Sequence, residues 1–570
     1  MVTPKLVTRP PNHPATETLV AAGVHPLLAR LWAARGVQGI NDIGQQWAHL
    51  IPPQHLTHVD DAANWLADAI AAGQKMLVVA DYDCDGATAC AVAVRALRSM
   101  GANVDYLVPN RFETGYGLSP EVVALATRHR NGKPDLLITV DNGIASVDGV
   151  EAALAEGIEV LVTDHHLPGD VLPRARAIVN PNQPGCGFPS KNLAGVGVIF
   201  YLMLALRAVL RQRGVYPANG GPRLDNLADL VALGTVADVV KLDGNNRLLV
   251  TQGLQKMRKG ALHAGLRALF AVAGRNPAQA NGFDLGFAIG PRINAAGRLA
   301  DMSLGIECLI TDDENHALQL ARELDHINQQ RRGIESTMQD QALASLDGIE
   351  ATDRASVCVY HPDWHQGVVG LVASRLKEAW WRPTLAFARS GDDELRGSGR
   401  SIPDVHLRDV LDLVSKRLPG AILKFGGHAM AAGLTLRESA YEQFQTAFDE
   451  AVRTLTGKSH FEPIIETDGS LESGYANADV AGLLQQQVWG AGFPAPVFRD
   501  TFRVAHQRLL KDKHLKLSLE RGHQRFDAIW FNHPQTLPET IDAAYRLDQN
   551  VWNGMISAQL IIEYAGPAQY

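Results

Sequence analysis

The apolar positions along this chain change their period several times, and each change marks a different kind of element. Early on, "HPLLARLWAARGV" (25–37) spaces its apolar residues three and four apart, so residues 15–50 are expected to form short helices. From about residue 75 the pattern becomes unbroken apolar runs: "KMLVVAD", "NVDYLVP", "PDLLITVD" and "IEVLVTD" predict buried strands. Between them "GATACAVAVRALRSMG", "SPEVVALATRHRNG" and "ASVDGVEAALAEG" predict helices, the second with Ser119 placed to cap its first turn. Strands alternating with helices build βαβ units around a mostly parallel sheet.

Further helices are expected to about residue 310. The stretch 311–347 has no Pro and one Gly and predicts one long connecting helix, or two. A second α/β pattern follows in "RASVCVYHPD", "GVVGLVASRLKEAWWRP" and "TLAFARS". After about 463 come strands with frequent turns, "TFRVAHQRLL", "HLKLSLERG", "RFDAIWF" and "VWNGMISAQLIIEYA", the signature of a small OB-like barrel. The expected fold class is α/β: an N-terminal helical segment (1–50), a parallel-sheet catalytic lobe (51–310), a connecting helix (311–350), a second smaller α/β lobe (351–457) and a C-terminal OB-like β-barrel (458–570).

Composition narrows this little. The 570 residues suffice for several domains, and 46% hydrophobic with 20% charged residues is ordinary globular usage. No apolar run is expected to reach the ~18–20 residues of a membrane span, and the first twenty residues lack the pattern of a signal peptide. Five scattered cysteines without a CxxC argue against a disulfide framework or a thiolate zinc site and suit a reducing cytoplasm. No heptad asks for a second copy, so a monomer is expected. The net charge of −8 disfavours nucleic acid only on average, because 503–525 carries seven Lys/Arg against two acids.

Chemistry enters at the strand ends. "VVADYDCDGA" (78–87) closes a strand on Asp81 and adds Asp83 and Asp85; Asp141 closes the next, and Asp164 another, followed at once by His165 and His166. Asp238 ends the apolar run "LADLVALGTVAD". Ligands of open parallel sheets bind outside the carboxyl ends of the strands. Acids crowded there with an imidazole make a hard, oxygen-rich site suited to Mg²⁺ or Mn²⁺, whose charge cancels their repulsion. Two such ions ~3.5–4 Å apart can activate water and stabilise a leaving oxygen in phosphoester hydrolysis. Taken singly, each acid is also an ordinary loop or helix-cap residue, and the His pair an ordinary turn; the joint pattern carries the expectation.

At "DYDCDG", "VDNGI" and "TDHH" the sequence resembles the DHH phosphoesterase superfamily. "LVALGTVADVV" (230–240), "GPRINAAGRL" (290–299), "GSGRSI" (397–402) and "GGHAMAAG" (426–433) resemble its RecJ branch, bacterial single-strand-specific DNA exonucleases, over about residues 20–565. The resemblance implies a Mn²⁺- or Mg²⁺-dependent exonuclease, with two ions, that degrades single-stranded DNA from the 5′ end to 5′-mononucleotides in recombination and repair. It implies metal ligands at Asp83, Asp85, Asp141, His165 and Asp238, with Asp81 and Asp164 in the same acidic shell and His166 at the scissile phosphate. Val79 stands where some superfamily members carry a further His, and Asn142 where related chains often have Cys. Arg111, Arg292, Asn294, Arg298, Ser398, Arg400, Gly427 and His428 would grip phosphates, the later ones at the terminal phosphate, though any single Arg is equally an ordinary surface ion-pair partner. In the barrel, Lys511, Lys513, Lys516, Arg521 and Arg525 would follow the strand, while Trp530 and Phe531 either stack on bases or fill the core. A single-stranded-DNA-binding protein and a helicase are the implied partners. The alternatives are a superfamily member acting on short oligoribonucleotides, cyclic dinucleotides or pyrophosphate, and a non-enzymatic DNA-binding factor.

Overall fold

The structure, a computed structural model, describes residues 3–110, 114, 116–346 and 354–568. Arg111 lies outside the described residues. The chain forms two compact units, one of Met1–Thr8 with Gln329–Thr467 and one of Arg9–Asn328 with Asp468–Tyr570.

The first strand, β1 (Lys5–Thr8), belongs with the later part of the chain. The larger unit is built on β2 (Lys75–Ala80), β3 (Asn103–Leu107), β4 (Leu136–Val140), β5 (Glu159–Thr163) and β6 (Ala177–Val179), all parallel, in the order β3–β2–β4–β5–β6. The strands read as continuous apolar runs because helices cover both faces. The chain leaves β2 toward β3 and returns to β4 on the other side, so β2 and β4 flank a topological switch point, where such sheets bind ligands. Register sets the acids level: Ala80 pairs with Val140 and Val140 with Thr163, so Asp81, Asp141 and Asp164 leave three adjacent strands side by side.

The Gly195–Gln212 helix departs from the expectation about apolar length. Its 18 residues have a mean hydropathy of 1.4, enough by length and composition to cross a membrane, but 72% of it is buried. It packs against the Val59–Ala71, Cys84–Ser99 and Ala228–Ala237 helices as the core helix of the unit.

In the smaller unit β7 (Val357–Tyr360), β8 (Thr384–Gly391), β9 (Glu394–Arg400), β10 (Ile422–Gly427) and β11 (Ala431–Arg437) form a sheet in the order β10–β11–β9–β8–β7, parallel only at β7–β8. Next, β12 (Ile464–Thr467) pairs in parallel with β1, a contact across more than 450 residues that local patterning does not show. The Glu314–Ser345 helix is continuous over 32 residues. The chain ends in a closed barrel of β13 (Phe498–Leu510), β14 (His514–Arg521), β15 (Gln524–Trp530), β16 (Thr540–Trp552) and β17 (Met555–Pro567), ordered β13–β14–β15–β17–β16. Asp468 ties the start of this region to the early helices of the same unit, accepting from both arms of the Arg35 guanidinium and from the Val497 N–H.

Candidate functional site

Five carboxylates and two imidazoles offer possible ligand atoms at the switch point, with a sixth carboxylate, Asp164, bonded to one of the imidazoles. Asp83 caps the Cys84–Ser99 helix through the Gly86 N–H at 3.0 Å, so it is an ordinary N-cap as well as part of the cluster. Asp85 lies in the first turn of that helix and points at the start of another: its oxygens accept from the N–H groups of Gly195 at 2.6 Å and Val196 at 2.9 Å. The positive end of the Gly195–Gln212 helix thus holds this carboxylate. Gly195 also lets Asp141 come close, since a Cβ there would lie 2.5 Å from the Asp141 Cβ. Asp141 has φ 62, a left-handed conformation uncommon for Asp, and the β-branched Val239 directly after Asp238 has φ 61. Asp238 follows the last residue of the Ala228–Ala237 helix, where the dipole is negative and a carboxylate is unfavourable unless a cation is near.

His165 is the hub. Its Nε2 lies 3.1 Å from Asp141 Oδ1, 3.4 Å from Asp238 Oδ2 and 3.9 Å from Asp85 Oδ2. Three overlapping sets bring donor atoms within 4.8 Å of one another: Asp85, His165 and Asp238; Asp141, His165 and His166; Asp81, Asp83 and Asp141. Asp141 Oδ1 and His165 Nε2 are buried and make no hydrogen bond. Buried polar atoms are nearly always satisfied, and these two converge with further oxygens from two other elements. The donor set, carboxylate oxygens with one imidazole shared between groups, fits a pair of hard divalent cations.

Asp164 does something different. Its carboxylate accepts from the N–H groups of Ile144, His165 and His166 and from His166 Nδ1 at 2.7 Å, so its oxygens face the protein. Burial works against its charge, but the bonded His166 outweighs it and holds the carboxyl below the usual range. Burial likewise opposes the charge on His166, and the Asp164 bond overcomes it, raising the imidazole to about 9. His165 goes the other way: burial, then the His166 charge, bring it to about 4, so its ring stays neutral. Burial with Asp83 nearby pushes Asp85 up to about 7, and burial with neighbouring acids drives Asp141 and Asp238 well above the ordinary carboxyl range. Protons, in the absence of cations, would offset the crowding.

The predicted phosphate residues divide. Asn294 accepts the Cys84 N–H at 2.8 Å and holds the acid loop, while Arg292 pairs with Asp325 at 2.9 Å; Arg298 stands half-buried near the end of the same Gly290–Leu299 helix. In the smaller unit Arg400 donates to Ser398 Oγ at 3.2 Å and to the Gly399 carbonyl at 2.8 Å. Among the described residues no carboxylate pairs with Arg400, and burial pulls its pKa down. Gly370, in the first turn of the Val369–Trp380 helix, faces this pair: a Cβ there would lie 2.9 Å from Ser398 Oγ and 3.1 Å from Arg400 Nη2. On a neighbouring hairpin Gly427 has φ 145, and a Cβ would meet the Ala432 Cα at 2.5 Å, so only Gly fits. His428 beside it is exposed, its N–H bonded to the Ala431 carbonyl.

Comparison with known proteins decides the family. Models of the DHH family N-terminal domain, the DHHA1 domain and the RecJ OB domain match residues 75–235, 354–454 and 467–564. A protein of Dickeya dadantii named single-stranded-DNA-specific exonuclease RecJ is 47% identical, covering 99% of this chain and 100% of that protein. Its namesake from Escherichia coli is 48% identical over 96% of each chain. The chain belongs to the RecJ family. A crystal structure of RecJ from Thermus thermophilus in complex with Mn²⁺ matches with a TM-score of 0.82 at 28% identity, covering 99% of this chain and 80% of that one. In these terms the parallel sheet is the DHH lobe, β7–β11 lie in the DHHA1 lobe, and the barrel is the RecJ OB domain.

The OB domain is less basic in structure than in sequence. Lys516 pairs with Asp527, Arg521 with Asp500 at 2.7 Å and Arg525 with Glu520, whereas Lys511 and Lys513 are exposed at the β13–β14 turn with no ion pair among the described residues. Trp530 packs against the core and stacks on His533 at 3.7 Å, while Phe531 is half-exposed. Sequence reasoning missed several supports of the DHH site. Tyr116 places its hydroxyl 3.4 Å from the His166 ring and 3.5 Å from the Asp141 carbonyl. Asn180 and Asn182 donate to the His166 and His165 carbonyls at 3.0 and 2.7 Å. An Asn-Pro-Asn run after β6 was the available signal.

Proposed function

We propose that this chain is a Mn²⁺- or Mg²⁺-dependent exonuclease that hydrolyses single-stranded DNA from its 5′ end to 5′-mononucleotides. The observation that carries the reading is the buried, hydrogen-bond-free pair Asp141 Oδ1 and His165 Nε2 at the convergence of five carboxylates. Asp81, Asp83, Asp85, Asp141, His165 and Asp238 would hold two cations. Bound there, such ions lower the pKa of an attacking water and neutralise charge on the phosphate and the departing oxygen. The chain's own groups prepare the rest. The Gly195 and Val196 N–H groups fix Asp85, and the neutral His165 keeps a lone pair for a ligand. Asp164 acts as a positioning residue that keeps His166 charged, so that His166 can contact the scissile phosphate and supply a proton to the leaving oxygen.

Arg400, with Ser398 and the Gly427–His428 turn, is the reading's grip on the terminal phosphate: a desolvated guanidinium without a carboxylate partner suits a phosphate. Lys511 and Lys513 would track the strand further along. Single-stranded DNA as substrate and a DNA-processing role rest on the family; recombination and repair, a single-stranded-DNA-binding protein and a helicase as partners, a monomeric state and a cytoplasmic setting belong to the same proposal. The appended barrel weighs against a superfamily member built for dinucleotides or pyrophosphate.

The test is an oligonucleotide labelled at one end or the other, incubated with Mn²⁺ beside an Asp141→Ala control and a matched blunt duplex. Immediate release of labelled mononucleotide from the 5′ end only, with variant and duplex silent, is expected. Shortening from the 3′ end would overturn the polarity, and cleavage of dinucleotides alone would overturn the substrate.

A further inference from the structure

A pair of exposed aromatic rings on the segment leading into the Gly290–Leu299 helix has no role in the site described so far. The helical stretch leading into Gly290–Leu299 contains a π segment, Asp284–Ile289, a rare wide turn that recurs at functional sites. Phe283 and Phe287 stack on one another there, ring centroids 4.8 Å apart and planes within 23°, yet they are 51% and 73% exposed. The Arg275 guanidinium lies over Phe283 at 6.0 Å and is paired with Asp284 at 3.6 Å. Leaving two large apolar rings in water costs stability unless something covers them.

Their place in the fold says what that is. A Cβ at Gly286 would lie 3.5 Å from Val236 Cγ1, and one at Gly290 3.2 Å from the Ala237 Cβ, so the π segment packs on the last turn of the helix that ends at Asp238. Val239, directly after that acid, is 71% exposed with the strained φ of 61. The segment that carries the rings therefore packs on the helix that delivers Asp238 to the acid cluster. A stacked, exposed pair of π faces matches a flat, uncharged aromatic ring such as a nucleobase, and does not favour an aliphatic protein surface.

We infer that Phe283 and Phe287 form a stacking platform for one unpaired nucleobase of the strand being degraded, holding the strand while its phosphodiester lies at the acids. The inference rests on the exonuclease reading above. It makes these two phenylalanines substrate-positioning residues that read the presence of a base and not its identity, since every base offers a π face.

An abasic scan tests it. A set of 5′-phosphorylated strands, about 20 nucleotides long so that one stacked base is a small part of the contact, each with a single abasic position, is digested with Mn²⁺ and the products resolved step by step. The wild-type enzyme is expected to slow by about tenfold at one step, at a constant distance from the abasic position, as loss of one stacked base requires. Phe287→Ala and Phe283→Ala/Phe287→Ala should be slower on intact strands and show no extra slow step. Phe287→Trp should restore it, and Phe287→Leu, apolar but without a π face, should behave like the alanine variant. The Mn²⁺-induced rise in Tm of each variant shows that it is folded and loaded. A variant profile identical to the wild-type one, an evenly digested wild-type scan, or wild-type behaviour of Phe287→Leu would overturn the platform while leaving the exonuclease standing. Failure of the wild-type enzyme to digest the unmodified strand would remove both.

Discussion

Two clusters in this chain are out of charge balance in opposite senses. In the DHH lobe five carboxylates crowd around one neutral imidazole, with buried ligand atoms left without hydrogen bonds. In the DHHA1 lobe a guanidinium is desolvated among a serine, a carbonyl and glycine backbone with no carboxylate paired to it among the described residues. A third cluster shows what balance looks like: the fully buried Asp229 meets His263 Nδ1 at 2.9 Å and Lys256 at 3.1 Å, and is held below the usual carboxyl range, burial notwithstanding, by those partners. Buried charges are normally paired in this way because an unpaired one is costly. The balanced cluster is a fastening between helices. On the function proposed above, the unbalanced ones are where a cation and a phosphate from outside would complete the protein.

Substitutions can break the contrast in order of size. Asp141→Asn removes an oxygen shared between two of the donor sets and should lower cleavage by about a thousandfold or more, since metal stabilisation of the transition state is worth several kcal/mol and each ~1.4 kcal/mol is tenfold; initial rates at saturating Mn²⁺ check it. Asp164→Asn should cost up to about 100-fold in kcat, the usual range for a residue that orients a ligand. It should also move the alkaline limb of the pH–rate profile: His166 keeps its proton below about 9 because of Asp164, so activity that needs the proton falls as pH rises past that value, and without the carboxylate it falls at lower pH. Arg400→Ala removes a charge-assisted contact and should raise KM for 5′-phosphorylated strands by about 10- to 30-fold, with Mn²⁺ affinity unchanged and Arg400→Lys in between. The smallest effect belongs to the barrel: Lys511→Ala with Lys513→Ala should flatten the slope of log affinity against log salt by about one per residue on long strands, and leave short ones untouched.

The acid cluster was legible in the sequence because it is built from chain ends of strands. Parallel strands of similar length, read from their apolar runs, finish level with one another, so Asp81, Asp141 and Asp164 had to converge. The runs could not show which acid faces a ligand and which faces the protein. Asp164 looks like its neighbours until the N–H groups of Ile144, His165 and His166 are seen to enclose it. The ion pairs of the barrel's basic run were hidden for a related reason: Asp500 and Asp527, which pair with Arg521 and Lys516, sit on other strands. The pairing of β1 with β12 was invisible because both are four residues long and the sequence between them exceeds 450 positions. The Gly195–Gln212 helix escaped notice as a continuous apolar element because glycines and a polar tail dilute its pattern, although its burial is what anchors Asp85.

The most direct measurement counts cations. The full-length chain, stripped with chelator, is titrated with Mn²⁺ while bound and free ion are distinguished by electron paramagnetic resonance, beside Asp141→Asn and with strand cleavage followed in the same samples. The account predicts two ions per wild-type chain, cleavage that appears as they bind, and loss of at least one ion in the variant. A chain that binds no Mn²⁺ at these acids, or that digests single strands undiminished in chelator, would contradict it.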